Sequence, residues 1–218
     1  ATRIEAFDEP DLAKLCQELP LDLDPVPTHK PYDLAPADGV ARHRAPGTRI
    51  LDGVYPIITG LEHDEHGHPT GSPALHMKMS AKRRRKLQVL ADALPTPEIY
   101  GAPEGEILLV GSGSTMGPIR EAVDHARAAG PSVSALHLRH LHPLPPGLDR
   151  RFFGFNHVRV VEMNDEGVYG FGQLAGILRG RFCNPKIRGI NKTDGLAFKV
   201  REIIEHLRQA VIEGMRHY

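Results

Sequence analysis

The densest run of groups able to bind metal or exchange protons is Glu62-His63-Asp64-Glu65-His66-Gly67-His68, bounded by Gly60 and Pro69. Glycine and proline on either side make it a loop, and loops held on a rigid scaffold are where recognition groups gather. Three readings are open: a bound metal, a polar loop that hydrogen-bonds a partner or substrate, and a merely solvated loop. Adjacent side chains such as His63, Asp64 and Glu65 cannot all point at one ion, and zinc sites favour spaced ligands, commonly with sulfur. The polar-loop reading is preferred and no metal ligand is assigned.

A second candidate is Gly111-Ser-Gly-Ser-Thr-Met-Gly117, which follows an apolar run and precedes a helical pattern. A strand, a glycine turn and a helix amino terminus can hold an anion on backbone N–H groups. A dinucleotide fold, however, usually carries an acidic residue about 20 positions later. This chain instead has His137-Leu138-Arg139-His140. Arg139 could meet a 2′-phosphate, but glycines serving a tight strand-to-helix turn are the simpler account. Ser112 is not the serine of a GxSxG elbow, because Val110 stands where that turn needs glycine. Of the 13 histidines, His125, His137 and His206 fall on helical or strand patterns and read as structural, whereas His140 and His142 flank a turn.

Proline is dense in the first hundred residues, notably in PLDLDPVPTHKPYDLAP and ALPTPEIYGAPEG. Dense proline removes backbone donors and favours extended chain. Residues 1–103 therefore read as an extended arm with one helix, Pro73 to Leu94. Its basic run, Lys82 to Lys86, is expected to be a solvated helix face. From residue 104 to 218 the pattern alternates between short β-branched runs and helices, the mark of βαβ units. Strands are expected at 107–110, 133–138, 158–161 and 186–190. Helices are expected at 118–129, near Leu148, at 172–182 and at 200–215, the last with Val200, Ile203, Ile204, Leu207, Val211 and Met215 on one face. The expected fold class is α/β: a small, doubly wound, mostly parallel sheet preceded by a proline-rich arm.

The chain has 218 residues, 40% of them hydrophobic, enough for one such domain and an extension. Lys plus Arg and Asp plus Glu are both 27, so no overall field draws it to nucleic acid or an anionic membrane. No run approaches the roughly 18 apolar residues of a membrane span. Cys16 and Cys183 stand far apart, so a disulfide framework or an iron–sulfur cluster cannot be built from this chain. A cytoplasmic setting is expected. Since the chain opens on Ala1, either its start is processed or it is part of a longer polypeptide.

Several ordered motifs carry a resemblance. Thr59 to Thr70 (TGLEHDEHGHPT), His76, Met79 and Lys82 to Leu87 are followed by Leu109 to Thr115, Leu136 to Pro146 (LHLRHLHPLPP), Glu162-Met163-Asn164, Gly172-Gln173-Leu174, Asn191-Lys192 and Phe198-Lys199-Val200. Together they resemble the α subunits of 2-oxoacid:ferredoxin oxidoreductases, in their carboxy-terminal part. The resemblance implies a domain like the last domain of transketolase. It also implies that the preceding domain, which binds the aminopyrimidine of thiamine diphosphate, has no counterpart in these residues.

For the complete enzyme the resemblance implies thiamine diphosphate, Mg2+, an iron–sulfur cluster and CoA, none of them on this chain. It implies as partners a thiamine-binding β subunit, the remaining α and γ domains, and ferredoxin as electron acceptor. The chain alone is expected to be inactive, serving subunit packing and substrate recognition for a 2-oxoacid, 2-oxoglutarate in type. A pure assembly module is the alternative; a nucleotide-binding enzyme using GSGSTMG is the third reading. His63, Asp64 and Glu65 are the substrate-binding candidates. His63 could donate directly, while Asp64 and Glu65, being acceptors, would orient a neighbouring cation. Asn164 and Gln173 match family motif positions, with residues 165–171 (DEGVYGF) inserted between them. No residue of this chain is expected to be catalytic.

Overall fold

The computed structural model describes residues 11, 13–14, 30–42 and 57–215, with side chains up to residue 209. The chain divides into two compact units between Ala93 and Leu94. The sequence placed this division at 103/104, ten residues later. The difference lies in ALPTPEIYGAPEG: its Ile99 and Tyr100 form strand β1 and pair antiparallel with Leu136 and Ala135. Proline marks the ends of this stretch without keeping its centre out of a sheet edge.

The second unit holds β1, β2 (Gly105–Ser112), α2 (Met116–Ala128), β3 (Val133–Leu138), α3 (Leu148–Phe153), β4 (Phe155–Glu162), α4 (Gln173–Phe182), β5 (Ile187–Asn191) and α5 (Val200–Met215). The strands lie in the order β1-β3-β2-β4-β5, and every pairing except that of β1 is parallel. All four expected strands and four expected helices form, with ends shifted by a few residues. The central strands are apolar on both faces, as parallel strands covered by helices must be. Ile107, Leu109, Val133 and Ala135 pack with Ile119, Val123, Ile203 and Leu207 of α2 and α5. Leu108, Val110, Leu136 and Leu138 pack on the other face with Leu148, Phe152, Leu174 and Leu178 of α3 and α4. The α/β, doubly wound, mostly parallel class is thus the observed one. Val211 and Met215 fall in α5, but their side chains lie outside the described residues, as does Cys16.

In the first unit the described residues form helix α1 (Pro73–Ala93), a helical pair at Ala13 and Lys14, and loops. Pro73 opens the helix, where its missing N–H costs nothing, and Ser72 Oγ accepts the N–H of Leu75 at 3.4 Å. Only Met79 and Lys82 of α1 are buried, while Met77, Val89 and Leu90 are exposed.

The basic run does more than face water. Lys82 is 8% exposed. Burial holds its pKa below the ordinary lysine value, helped by Lys86 and opposed by Asp33 and Glu65. Arg85 donates to the Pro36 carbonyl at 3.3 Å. Residues around Gly39 lie so close to the helix that a Cβ there would stand 2.7 Å from the Lys82 carbonyl oxygen. Arg84 and Lys86 remain exposed, as a charge run predicts.

Candidate functional site

Residues 62–70 form a tight turn built around Asp64. Its Oδ1 accepts the N–H groups of His66 and His68, both at 2.9 Å, and Oδ2 lies 3.2 Å from the His68 ring. The main chain closes the turn through Asp64 N–H to His68 O at 3.0 Å and Thr70 N–H to Glu62 O at 2.9 Å. Gly67 sits at φ +94°, and a Cβ there would fall 2.4 Å from the Ile57 carbonyl oxygen, so glycine is required twice over.

Glu65 faces the chain at residues 30–34: Oε1 accepts the Leu34 N–H at 3.0 Å and Oε2 meets Lys30 Nζ at 3.4 Å. His63 is buried. Its Nδ1 hydrogen-bonds the Asp64 carbonyl at 2.8 Å, and its ring lies 3.9 Å from that of Tyr32. The three candidates are therefore neighbours in one loop but point in different directions. Each already has partners within the unit, while His66, His68 and Leu61 face outward.

Glu62 belongs to the run that the sequence singles out but is not among its binding candidates. Its Oε2 accepts from Arg83 at 2.9 Å and contacts His76 Nδ1, tying the loop to α1. The Arg83 guanidinium and then His76 hold the Glu62 carboxyl at about 2 against an ordinary 4.5. For Asp64, burial acts upward, but the N–H groups of His68 and His66 and the His68 ring outweigh it and hold the carboxyl at about 2 against 3.8. Carboxyls depressed in the folded state stabilise it fully above their unfolded values, and that stability is lost as pH falls through the folded values. The turn is expected to stay intact at pH 5 and to open between about 4.5 and about 2. The amide resonances of His66 and His68 should follow this. A turn that opens above pH 5, or is unchanged at pH 2, would contradict the carboxylate account.

The second unit carries its own cleft, of about 400 Å3, where the carboxyl ends of β2 and β4 meet. The chain leaves β2 toward one side of the sheet and β4 toward the other, and open α/β sheets offer a crevice at such a reversal. Ser112 to Thr115, Met163, Asn164, Gln173 and Ile177 line it. Here the structure brings Asn164 and Gln173 together. Asn164 Oδ1 accepts the Asp165 N–H at 3.0 Å, and its carbonyl accepts from Asn191 Nδ2 at 3.2 Å. Gln173 is the exposed first residue of α4. The insertion folds as a hydrogen-bonded loop: Asp165 Oδ1 accepts the Gly167 N–H, and the Glu166 carbonyl accepts those of Phe171 and Gly172.

Glu162, also unmarked by sequence reasoning as a site residue, is 8% exposed and accepts the N–H groups of Leu174 and Ala175 at 2.8 and 2.9 Å. The amino end of α4 is thus filled by a carboxylate of the chain itself, where an anionic ligand would meet repulsion. In the glycine turn, Thr115 Oγ1 donates to the Ser112 carbonyl and accepts the Ser112 N–H. A Cβ on Gly111 would lie 2.4 Å from Ile119 Cδ1. Close strand-to-helix packing explains this glycine without a dinucleotide.

The Asn191-Lys192 and Phe198-Lys199-Val200 motifs also meet. Lys192 Nζ pairs with both Glu202 oxygens at 2.8 Å, Glu202 caps the Lys199 N–H, and Phe198 is buried in the core. Among the described residues, no group of three or more His, Cys, Asp or Glu side chains is placed to hold a metal. The one described cysteine is the exposed Cys183. Among the described residues this donor set does not fit a cluster or a metal centre.

A doubly wound sheet with a glycine turn and a carboxylate-capped helix at its switch point defines a domain class, and residues 105–203 match the family model of pyruvate:ferredoxin oxidoreductase core domain II. Relatives extend the likeness beyond that domain. The chain is 32% identical over 215 residues to "2-oxoacid:ferredoxin oxidoreductase 2, subunit alpha" of Aeropyrum pernix, covering 88% of this chain and 32% of that protein. It is 34% identical over 170 residues to "2-oxoglutarate oxidoreductase subunit KorA" of Mycobacterium tuberculosis, covering 76% of this chain and 24% of that one.

Among solved structures, the 2-oxoglutarate:ferredoxin oxidoreductase of Magnetococcus marinus, with 2-oxoglutarate, coenzyme A and succinyl-CoA bound, matches with a TM-score of 0.67 and 31% identity. That match covers 84% of this chain and 31% of that chain. The chain belongs to the 2-oxoacid:ferredoxin oxidoreductase α-subunit family, and it spans about a third of the length of the first of these relatives.

Proposed function

We propose that the chain is the carboxy-terminal part of the α subunit of a thiamine-dependent 2-oxoacid:ferredoxin oxidoreductase of the 2-oxoglutarate type, inactive alone and working by subunit packing and by the 62–68 loop. The complete enzyme would decarboxylate the 2-oxoacid, pass electrons to ferredoxin and transfer the acyl group to CoA, with thiamine diphosphate, Mg2+ and the iron–sulfur cluster held by other polypeptide. A cytoplasmic setting is part of this proposal; among the described residues no helix is long and apolar enough to cross a membrane.

The observation that carries this reading is the 62–68 loop, which Glu62 fastens to helix α1 through Arg83 and whose shape Asp64 sets through the N–H groups of His66 and His68. His63, Asp64 and Glu65 are the proposed recognition residues, acting through a turn already set in shape before substrate arrives.

Calorimetry with thiamine diphosphate and Mg2+ tests the division of labour. The isolated chain should release no binding heat and show no oxidoreductase activity, and both should appear when the β subunit and the rest of the α subunit are added. Micromolar binding to the chain by itself would overturn the proposal.

A further inference from the structure

A cleft of about 480 Å3 at the carboxyl end of β3, walled by β1, the start of α2 and the segment after β3, is left unused by this reading. That volume lies within the roughly 300–1,000 Å3 typical of small-ligand sites. His137 forms part of its lining, opposite Gly111 in the sheet, which has no side chain to cover it. Its Nδ1 is buried without a hydrogen-bond partner. A buried N–H without a partner is rarer and costlier than a buried lone pair, so the ring proton belongs on Nε2. Burial holds the pKa of His137 below its ordinary value, and Arg139 and Arg120 add to the effect. The ring is therefore neutral at pH 7, with Nε2–H as its donor.

Two guanidiniums share the lining. Arg139 is exposed and has no ion-pair partner among the described residues. Arg120 lies 4.9 Å from the centroid of the Tyr100 ring, which is fixed by its hydroxyl donating to Asp124 at 2.8 Å. His140 adds a further ring, and Glu98 is the single carboxylate in the lining. The forked donors of Arg139 and the neutral N–H of His137, in the positive field of Arg120, suit a doubly charged tetrahedral group better than a planar carboxylate, which one guanidinium can satisfy.

We propose that this cleft binds the phosphate monoester group of an organic ligand whose body packs against the half-buried Tyr100 and Met116. The proposal is independent of the oxidoreductase reading. Phenyl phosphate titrated calorimetrically into the 218-residue chain should bind saturably. Arg139→Gln should weaken it by roughly tenfold or more, as loss of a charge-assisted bidentate pair does. His137→Gln should weaken it less, and Glu98→Gln should strengthen it.

Nitrogen-detected NMR should find the His137 proton on Nε2 and see that signal move on binding. Benzoate binding as tightly as phenyl phosphate would show that the cleft reads charge alone, and would overturn the assignment to a phosphate ester. Inorganic phosphate binding equally well would overturn the role of the organic body. Absence of saturable binding, or an unchanged affinity in a folded Arg139→Gln chain, would overturn the site.

Discussion

Replacing Glu162 with alanine is expected to destabilise the α/β unit by about 3 kcal/mol, because two buried N–H groups at the start of α4 lose a charged acceptor at once. At the usual scaling for a unit of this size, the thermal midpoint should fall by about 10 °C. Leu174 and Ala175 are themselves buried, so water entering from the adjoining cleft should replace the lost carboxylate only in part. Gly172, at φ +80°, is also in close contact: a Cβ there would stand 2.7 Å from Glu162 Oε1.

Glu162→Gln keeps one acceptor oxygen and should lose about 1 kcal/mol. Thermal unfolding of the whole chain, followed by tyrosine circular dichroism, separates the two variants. Equal stability of alanine and wild type would show that the carboxylate does not hold the helix.

In a reconstituted complex, Asp64→Asn should lower kcat/KM for the 2-oxoacid by ten- to a hundredfold, about 1.4 to 2.8 kcal/mol. Asparagine is the informative replacement. Both main-chain hydrogen bonds of the turn go to Oδ1, which asparagine retains, so the loop can keep its shape while losing its charge. Assembly, measured by sedimentation, should be unchanged. If Asp64→Asn and Glu65→Gln both leave the kinetics as they were, the loop is a fastening for α1 and the assembly-module account is the better one.

The sheet was legible because its strands are short apolar runs between glycine turns and helical patterns, a local signal that needs no knowledge of neighbours. Ile99-Tyr100 was not legible: two residues carry no period, and only the edge of β3 makes them a strand. Lys82 eluded the sequence for a similar reason. A charge run looks solvated until a distant segment, here residues 38–41, covers one of its members. His63, Asp64 and Glu65 were found by chemistry and spacing, but their orientation depends on Tyr32, Leu34 and Lys30, thirty residues away. Glu162 shows a mixed case. Its motif was recognised, yet the link to Leu174 spans the inserted loop and could not be read from spacing.

Strand β1 also decides where this polypeptide can be cut. It is only two residues long, but it occupies the outer backbone of Leu136 and Ala135. A fragment starting at Leu94 keeps that border closed, whereas one starting at Glu104 leaves a run of β-prone backbone open to a second copy of itself. The shorter fragment should therefore self-associate with rising concentration in light scattering while the longer one stays dispersed, so the hydrophobic core alone does not make this unit soluble.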